Sequence, residues 1–135
     1  MPDLLSITTR GQGLYNITAD VTACVRSSNV ESGLCTVFVQ HTSASLIIQE
    51  NADPAVQTDL NNWLNRLVPE HDSLYTHTDE GPDDMPAHIK SVLTATSIGI
   101  PVINKHLVLG TWQGLYLWEH RRRGHTRQVI VHVGE

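Results

Sequence analysis

The stretch Tyr75–Ser97, YTHTDEGPDDMPAHIKSVLTATS, constrains this chain more than any other. Gly81-Pro82 breaks regular structure, and Pro86 fits the first turn of a helix, where a missing N–H costs nothing. Met85, preceding a proline, is biased towards extended geometry, as suits entry into a helix. Asp83 and Asp84 then lie beside the positive end of the helix dipole. At about 100° per residue, Met85, Ile89, Val92, Leu93 and Thr96 share one stripe, which predicts the core face. His88 falls on one margin of that stripe and Lys90 on the other, roughly 200° apart, so that in an oligomer Lys90 would serve a neighbour. The prediction is a loop of acids and histidines feeding a helix that carries a histidine at the edge of its buried face: the wall of a site.

Strand-like runs surround this stretch. Asp3–Arg10 reads as a first strand and Tyr15–Ile17 as a short second one. Thr18 or Asp20 is expected to cap a helix through about Ser28, with Val21, Cys24 and Val25 inward. Leu34–Gln40 and Ser45–Gln49 are β-rich and apolar on both faces in places, as in a well-covered sheet. Asp53-Pro54 opens a second helix whose buried stripe is predicted as Val56, Leu60, Trp63, Leu64 and Leu67. Ile98–Ile103, Leu107–Leu109, Thr111–Glu119 and Arg127–Val133 read as further strands, with Arg121–Gly124 as a solvated hairpin tip. Strands outnumber helices and are expected to pair mostly as hairpins. The class is therefore α+β, a mainly antiparallel sheet with two to three helices. At 135 residues, one domain over 1–135 is expected.

Composition excludes more than it selects. A hydrophobic content of 40% and a formal net charge of −5 suit a soluble globular chain and disfavour non-specific nucleic-acid binding. The two cysteines, Cys24 and Cys35, have no metal-type spacing, so a reducing, cytoplasmic setting is expected. The first ten residues show no secretion signal, and no apolar run nears the ~20 residues of a membrane span. GxGxxG, P-loop and GxSxG motifs are absent, which disfavours nucleotide cradles and the hydrolase elbow.

Eight histidines in a short chain invite a metal reading. His77 and His88 flank an acidic loop whose Glu80 or Asp84 would complete or orient a metal site, although a solvated acidic loop gives the same pattern. His41 ends a strand and is followed by Thr42 and Ser43, whose hydroxyls and turn amides suit an anion; a satisfied strand-end histidine is the plainer alternative. Gly114, within the strand after Gly110-Thr111-Trp112-Gln113, marks either a close approach by a ligand or backbone, or a bulge.

The runs HTSASLIIQEN at His41–Asn51, HTDEGPDDMPAHIK at His77–Lys90 and LGTWQGLYLWEHR at Leu109–Arg121 together resemble the YjbQ-type family of small trimeric proteins, the secondary thiamine-phosphate synthases. The resemblance covers nearly the whole chain. It departs at Trp118, where a smaller residue is usual, and at Asn104-Lys105-His106, a turn that usually carries glycine. The resemblance implies a homotrimer of α+β subunits. It also implies a site lined by His41, Thr42, Ser43, the Glu80–Asp84 loop, His88 and Gly110–Gln113, including Thr111. A divalent metal, zinc or magnesium, is expected among His41, His77 and His88, with Asp84 contributing and His77 or Glu80 moving protons. The implied reaction joins a pyrimidine diphosphate to a thiazole phosphate with release of diphosphate. A non-catalytic metal- or anion-binding module and a metal-assisted phosphoester hydrolase are the alternatives.

Overall fold

A computed structural model describes residues 2–135. The chain forms β1 (Asp3–Thr8), β2 (Gly13–Asn16), α1 (Thr18–Ser27), β3 (Gly33–Val39), β4 (Ala44–Glu50), α2 (Pro54–Leu67), α3 (Asp84–Leu93), β5 (Ser97–Ile103), β6 (His106–Leu107), β7 (Gln113–Glu119) and β8 (Thr126–Gly134). Two antiparallel sheets result, one in the order β1-β8-β3-β5-β6 and the other β2-β7-β4.

Most pairings are long-range, which corrects the expectation of hairpins. Among the pairings, β5–β6 alone joins consecutive strands. There Asn104 and Lys105 both have positive φ, 51° and 64°, the backbone of a tight primed turn built without glycine. Lys105 N–H is held by the Glu31 carbonyl at 2.9 Å. The links β3–β4 and β7–β8 cross from one sheet to the other, so Arg121–Gly124 is not a hairpin tip.

The main core lies between the sheets. Cys35, Val37, Val39, Ile100, Val102, Val129 and Val131 from the larger sheet meet Leu46, Leu115 and Leu117 from the smaller, and Val21, Cys24 and Val25 of α1 close the space, as their spacing predicts. A second cluster, Leu64, Val68 and Trp118, packs α2 on the far face of the smaller sheet, with Ile89 of α3 against it. Strand β7 is thus covered on both sides, which explains its nearly continuous burial. Trp118 fits because its indole N–H donates to Asn61 Oδ1 at 3.0 Å.

Both outer helices differ from the predicted stripes. In α2 only Leu64 is buried, while Trp63 and Leu67 are exposed; Asp53 caps it by accepting from Ala55 N–H at 2.9 Å. α3 begins at Asp84, so Pro86 is its third residue, still among the four N–H positions that lack an intrahelical partner. Its inward face is Asp84, Ala87, Lys90 and Ser91, whereas Val92 is 82% exposed and Leu93 also faces out. The helix is rotated so that polar groups face the protein. That rotation builds the site.

Candidate functional site

Arg121 organises the acidic loop. Its Nε donates to Asp83 Oδ2 at 2.9 Å, its Nη1 lies 2.9 Å from Asp84 Oδ1, and its Nη2 donates to the Glu80 carbonyl at 2.9 Å. Arg122 N–H adds a bond to Asp83 Oδ2 at 2.9 Å. A guanidinium presents this rigid fork of donors, so the loop is clamped to the end of β7. Asp84 is 2% exposed. Burial alone would raise its carboxyl, but the hydrogen bond with His77 and the Arg121 charge outweigh it and hold the group below the usual range.

The free oxygen of Asp84 is aimed at two imidazoles. His77 Nε2 lies 2.6 Å and His88 Nε2 3.3 Å from Asp84 Oδ2, and the three ligand-type atoms all lie within 4.8 Å of one another. The rings meet edge to face at 5.3 Å. His88 Nδ1 is 3.0 Å from the Thr42 carbonyl, which can only accept, so Nδ1 carries hydrogen and neutral His88 turns the lone pair of Nε2 towards Asp84. Two acceptors facing each other need a proton or a metal cation between them. The His77 pKa is raised, chiefly by the hydrogen bond to Asp84, against a desolvation penalty and with help from the Asp84 and Glu80 charges. Glu80 Oε2 lies 3.3 Å from His77 Nε2 at an exposed position.

The cluster separates two hollows. One, of about 460 Å³, is lined by residues that include His41, Thr42, His88, Ser91 and Thr96. The other, about 250 Å³, has Tyr75, His77, Gly81 and Met85 in its wall.

His41 and His88 therefore share a hollow, but His41 stands outside the ligand cluster. Its Nε2 accepts from Gln128 N–H at 2.9 Å and its Nδ1 lies 3.5 Å from Arg127 Nη1, so both ring nitrogens are turned to donors of the chain itself. Burial, and then the Arg127 charge, lower its pKa. Of the expected trio, His77 and His88 are brought together, with Asp84 beside them, and His41 is not. Ser43 is buried and its hydroxyl accepts from Arg127 at 3.0 Å, so it faces the interior rather than an anion. Gly110, Thr111 and Gln113 lie at the other end of β7, roughly 20 Å from Glu119 by strand rise. Their turn is closed on itself, with Gly110 N–H donating to Gln113 Oε1 at 2.7 Å and Asn51 Nδ2 donating to the Thr111 carbonyl at 3.3 Å. They do not line the histidine site of the same chain. Gly114 keeps regular register opposite Gln49, and an added Cβ would meet Asn51 Cβ at 3.2 Å: a close approach, not a bulge. Lys90 points inward, not towards a neighbour.

Sequence reasoning missed the arginines. Arg121 reads as a solvated tip, and Arg127 reads as strand. A signal was present in Glu119, an acid at an inward position of an apolar strand, since buried acids require partners. Arg127 Nε and Nη2 donate to Glu119 at 2.8 and 2.5 Å, and Thr9 Oγ1 donates at 2.7 Å, tying both sheets together behind the site.

Two antiparallel sheets with outer helices, and a His-Asp-His cluster clamped by arginine, define the class as an α+β protein with a polar site at the start of its third helix. The chain belongs to the family described as UPF0047 protein YjbQ-like, whose model matches residues 3–135. It is 60% identical to UPF0047 protein sll1880 of a Synechocystis strain over 97% of this chain and 89% of that one. It is 39% identical to UPF0047 protein YjbQ of Escherichia coli O157:H7, over 94% and 92%. A solved YjbQ/UPF0047 family structure from Clostridium acetobutylicum superposes with a TM-score of 0.90 at 36% identity, covering 98% of this chain and 99% of that one. Family membership establishes the fold and names no reaction.

Proposed function

We propose that the chain is a metal-dependent enzyme acting on a small phosphorylated substrate, with His77, Asp84 and His88 as the ligands. The observation that carries this reading is the convergence of His77, Asp84 and His88, whose ligand-type atoms all lie within 4.8 Å of one another. Two imidazole nitrogens and one carboxylate oxygen suit zinc or a similar transition metal better than magnesium, which prefers oxygen donors. Three protein ligands leave a fourth position for substrate. Such an ion supplies Lewis acidity to a phosphoryl oxygen.

The chain's own groups do the rest. Arg121 fixes the Asp84 carboxylate through its other oxygen, and the Thr42 carbonyl fixes the His88 ring, the usual way a site orients its ligands. Glu80, whose carboxylate lies 3.3 Å from His77 Nε2 at the exposed rim, is the group placed to move a proton beside the ion. The hollow beside His88 is of the size that takes a small organic phosphate, with Thr42, Ser91 and Thr96 among the residues of its wall. Within this frame the reaction proposed is that implied by the resemblance: joining a pyrimidine diphosphate to a thiazole phosphate, where charge on the leaving diphosphate must be neutralised. Assembly as a homotrimer belongs to the same proposal. Its support is the apolar surface a single chain leaves uncovered, including Leu4, Leu34 and Phe38 on the larger sheet and Trp63, Val92 and Leu93 on the outer helices.

Calorimetry with zinc is expected to give one site per chain, lost in His88→Ala while circular dichroism stays unchanged. Turnover of the two phosphorylated substrates should fall with it. Unchanged turnover in that variant would sink the catalytic assignment. The open ligand position also fits phosphoester hydrolysis, and phosphate release from p-nitrophenyl phosphate, without condensation, would select that reading. Zinc binding with neither activity would leave a binding module.

A further inference from the structure

On the opposite side of α3 from His88, Lys90 is 3% exposed. Its Nζ donates to Asn65 Oδ1 at 2.5 Å, and no other hydrogen bond or ion pair is made by this ammonium among the described residues. Asn65 is itself fixed, donating from Nδ2 to Gln12 Oε1 at 2.8 Å, an oxygen that also accepts from Asn61 at 3.2 Å. Gln12 in turn donates to the His120 carbonyl at 3.2 Å. The lysine thus stands on a polar floor whose geometry is set by three amides. A cavity of about 290 Å³ opens here, lined by Gln12, Asn65, Val68, Glu70, Lys90 and Arg122. Arg122 pairs with Glu70 at its exposed rim.

A buried cation with one neutral partner is costly, because the interior replaces water poorly and leaves N–H donors unmatched. Among the lining residues Lys90 and Arg122 bring two positive charges and Glu70 one negative charge, while nearby Asp83 is already paired with Arg121. The net excess calls for one anionic charge, and the two spare ammonium hydrogens call for oxygen acceptors. We propose that this cavity is an anion site, distinct from the histidine cluster, in which Lys90 and Arg122 hold a small oxyanion such as a carboxylate or a phosphate end group. The site stands whether or not the metal-dependent reading of the His77 cluster holds, since none of its residues belongs to that cluster.

The test uses the full chain, stripped with a chelator so that no cluster-bound metal contributes, and titrates inorganic phosphate and, separately, acetate by calorimetry. One saturable site per chain is expected for at least one of the two, and the pair distinguishes a phosphate from a carboxylate ligand. Arg122→Gln is at an exposed rim, folds normally, and weakens binding about tenfold, the usual effect of losing one charge-assisted hydrogen bond. Asn65→Asp places a carboxylate against the ammonium and abolishes binding; should that variant not fold, Arg122→Gln decides alone. His88→Ala leaves binding unchanged. Absence of saturable binding for both anions, binding undiminished in Arg122→Gln or surviving in folded Asn65→Asp, or loss in His88→Ala would each overturn the assignment.

Discussion

His120 is an imidazole almost without water, 1% exposed, stacked near Trp118 and bonded through Nε2 to Ser45 Oγ at 2.8 Å. Its Nδ1 has no partner, so neither nitrogen welcomes a second proton. Burial first, and then the Lys90 and Arg127 charges, push its pKa down to about 3. The unfolded chain takes up that proton near 6.5 and the folded one does not, so the contribution is present above 6.5 and lost as pH falls. Stability should drop by about 1.4 kcal/mol per pH unit between roughly 6.5 and 4.5. The depressed carboxyls of Glu119 and Asp83 add to the loss only at lower pH, while His77, whose pKa is raised, contributes slope only above 6.5. Urea titrations across pH check this, and His120→Asn should flatten the upper part of the curve. Arg121→Ala leaves Asp83 and the buried Asp84 without their cation and should cost at least about 2 kcal/mol by the same measurement.

At the scale of elements, the site depends on close passages between segments from different sheets. Gly124 lies where β8 begins beside the end of β1, and an added Cβ would fall 2.2 Å from the Thr9 carbonyl oxygen. Backbone must move to admit it, so Gly124→Ala should lose about 2 kcal/mol in denaturant melts. Because Thr9 donates to Glu119, the same change should loosen the ion pair behind the site. α1 and the cap of α2 were legible because their residues obey local rules: three apolar residues at helical spacing, and an Asp-Pro start. The face of α3 was not. Its stripe of Val92 and Leu93 is as apolar as any buried stripe, and periodicity reports that a helix has an apolar side without saying which side the rest of the molecule occupies. The inward placing of Asp84 and Lys90 was settled by Arg121 and Asn65, distant in sequence.

For the whole molecule, Leu34 and Phe38 on the larger sheet and Trp63 and Val92 on the outer helices are exposed apolar groups that association would cover. Light scattering is expected to give three times the 15.0 kDa chain mass, and Phe38→Lys to lower it if the larger sheet forms the contact. If the folded cluster binds zinc as proposed, zinc should raise the melting temperature, and its removal by a chelator should reverse the gain. Described residues include no helix long and apolar enough to cross a membrane. The sequence by itself determined which segments are strands and helices, and that acids and histidines gather between Tyr75 and His88, because those follow from neighbours a few residues apart. Only the tertiary structure decided that β3 and β4, or β7 and β8, part into different sheets, that His41 gives its lone pair to Gln128 N–H, and that Arg121 holds the acidic loop. Each of those rests on a contact between residues from about 40 to nearly 90 positions apart or on the choice between two sheets, and no local pattern carries the free energy that selects it.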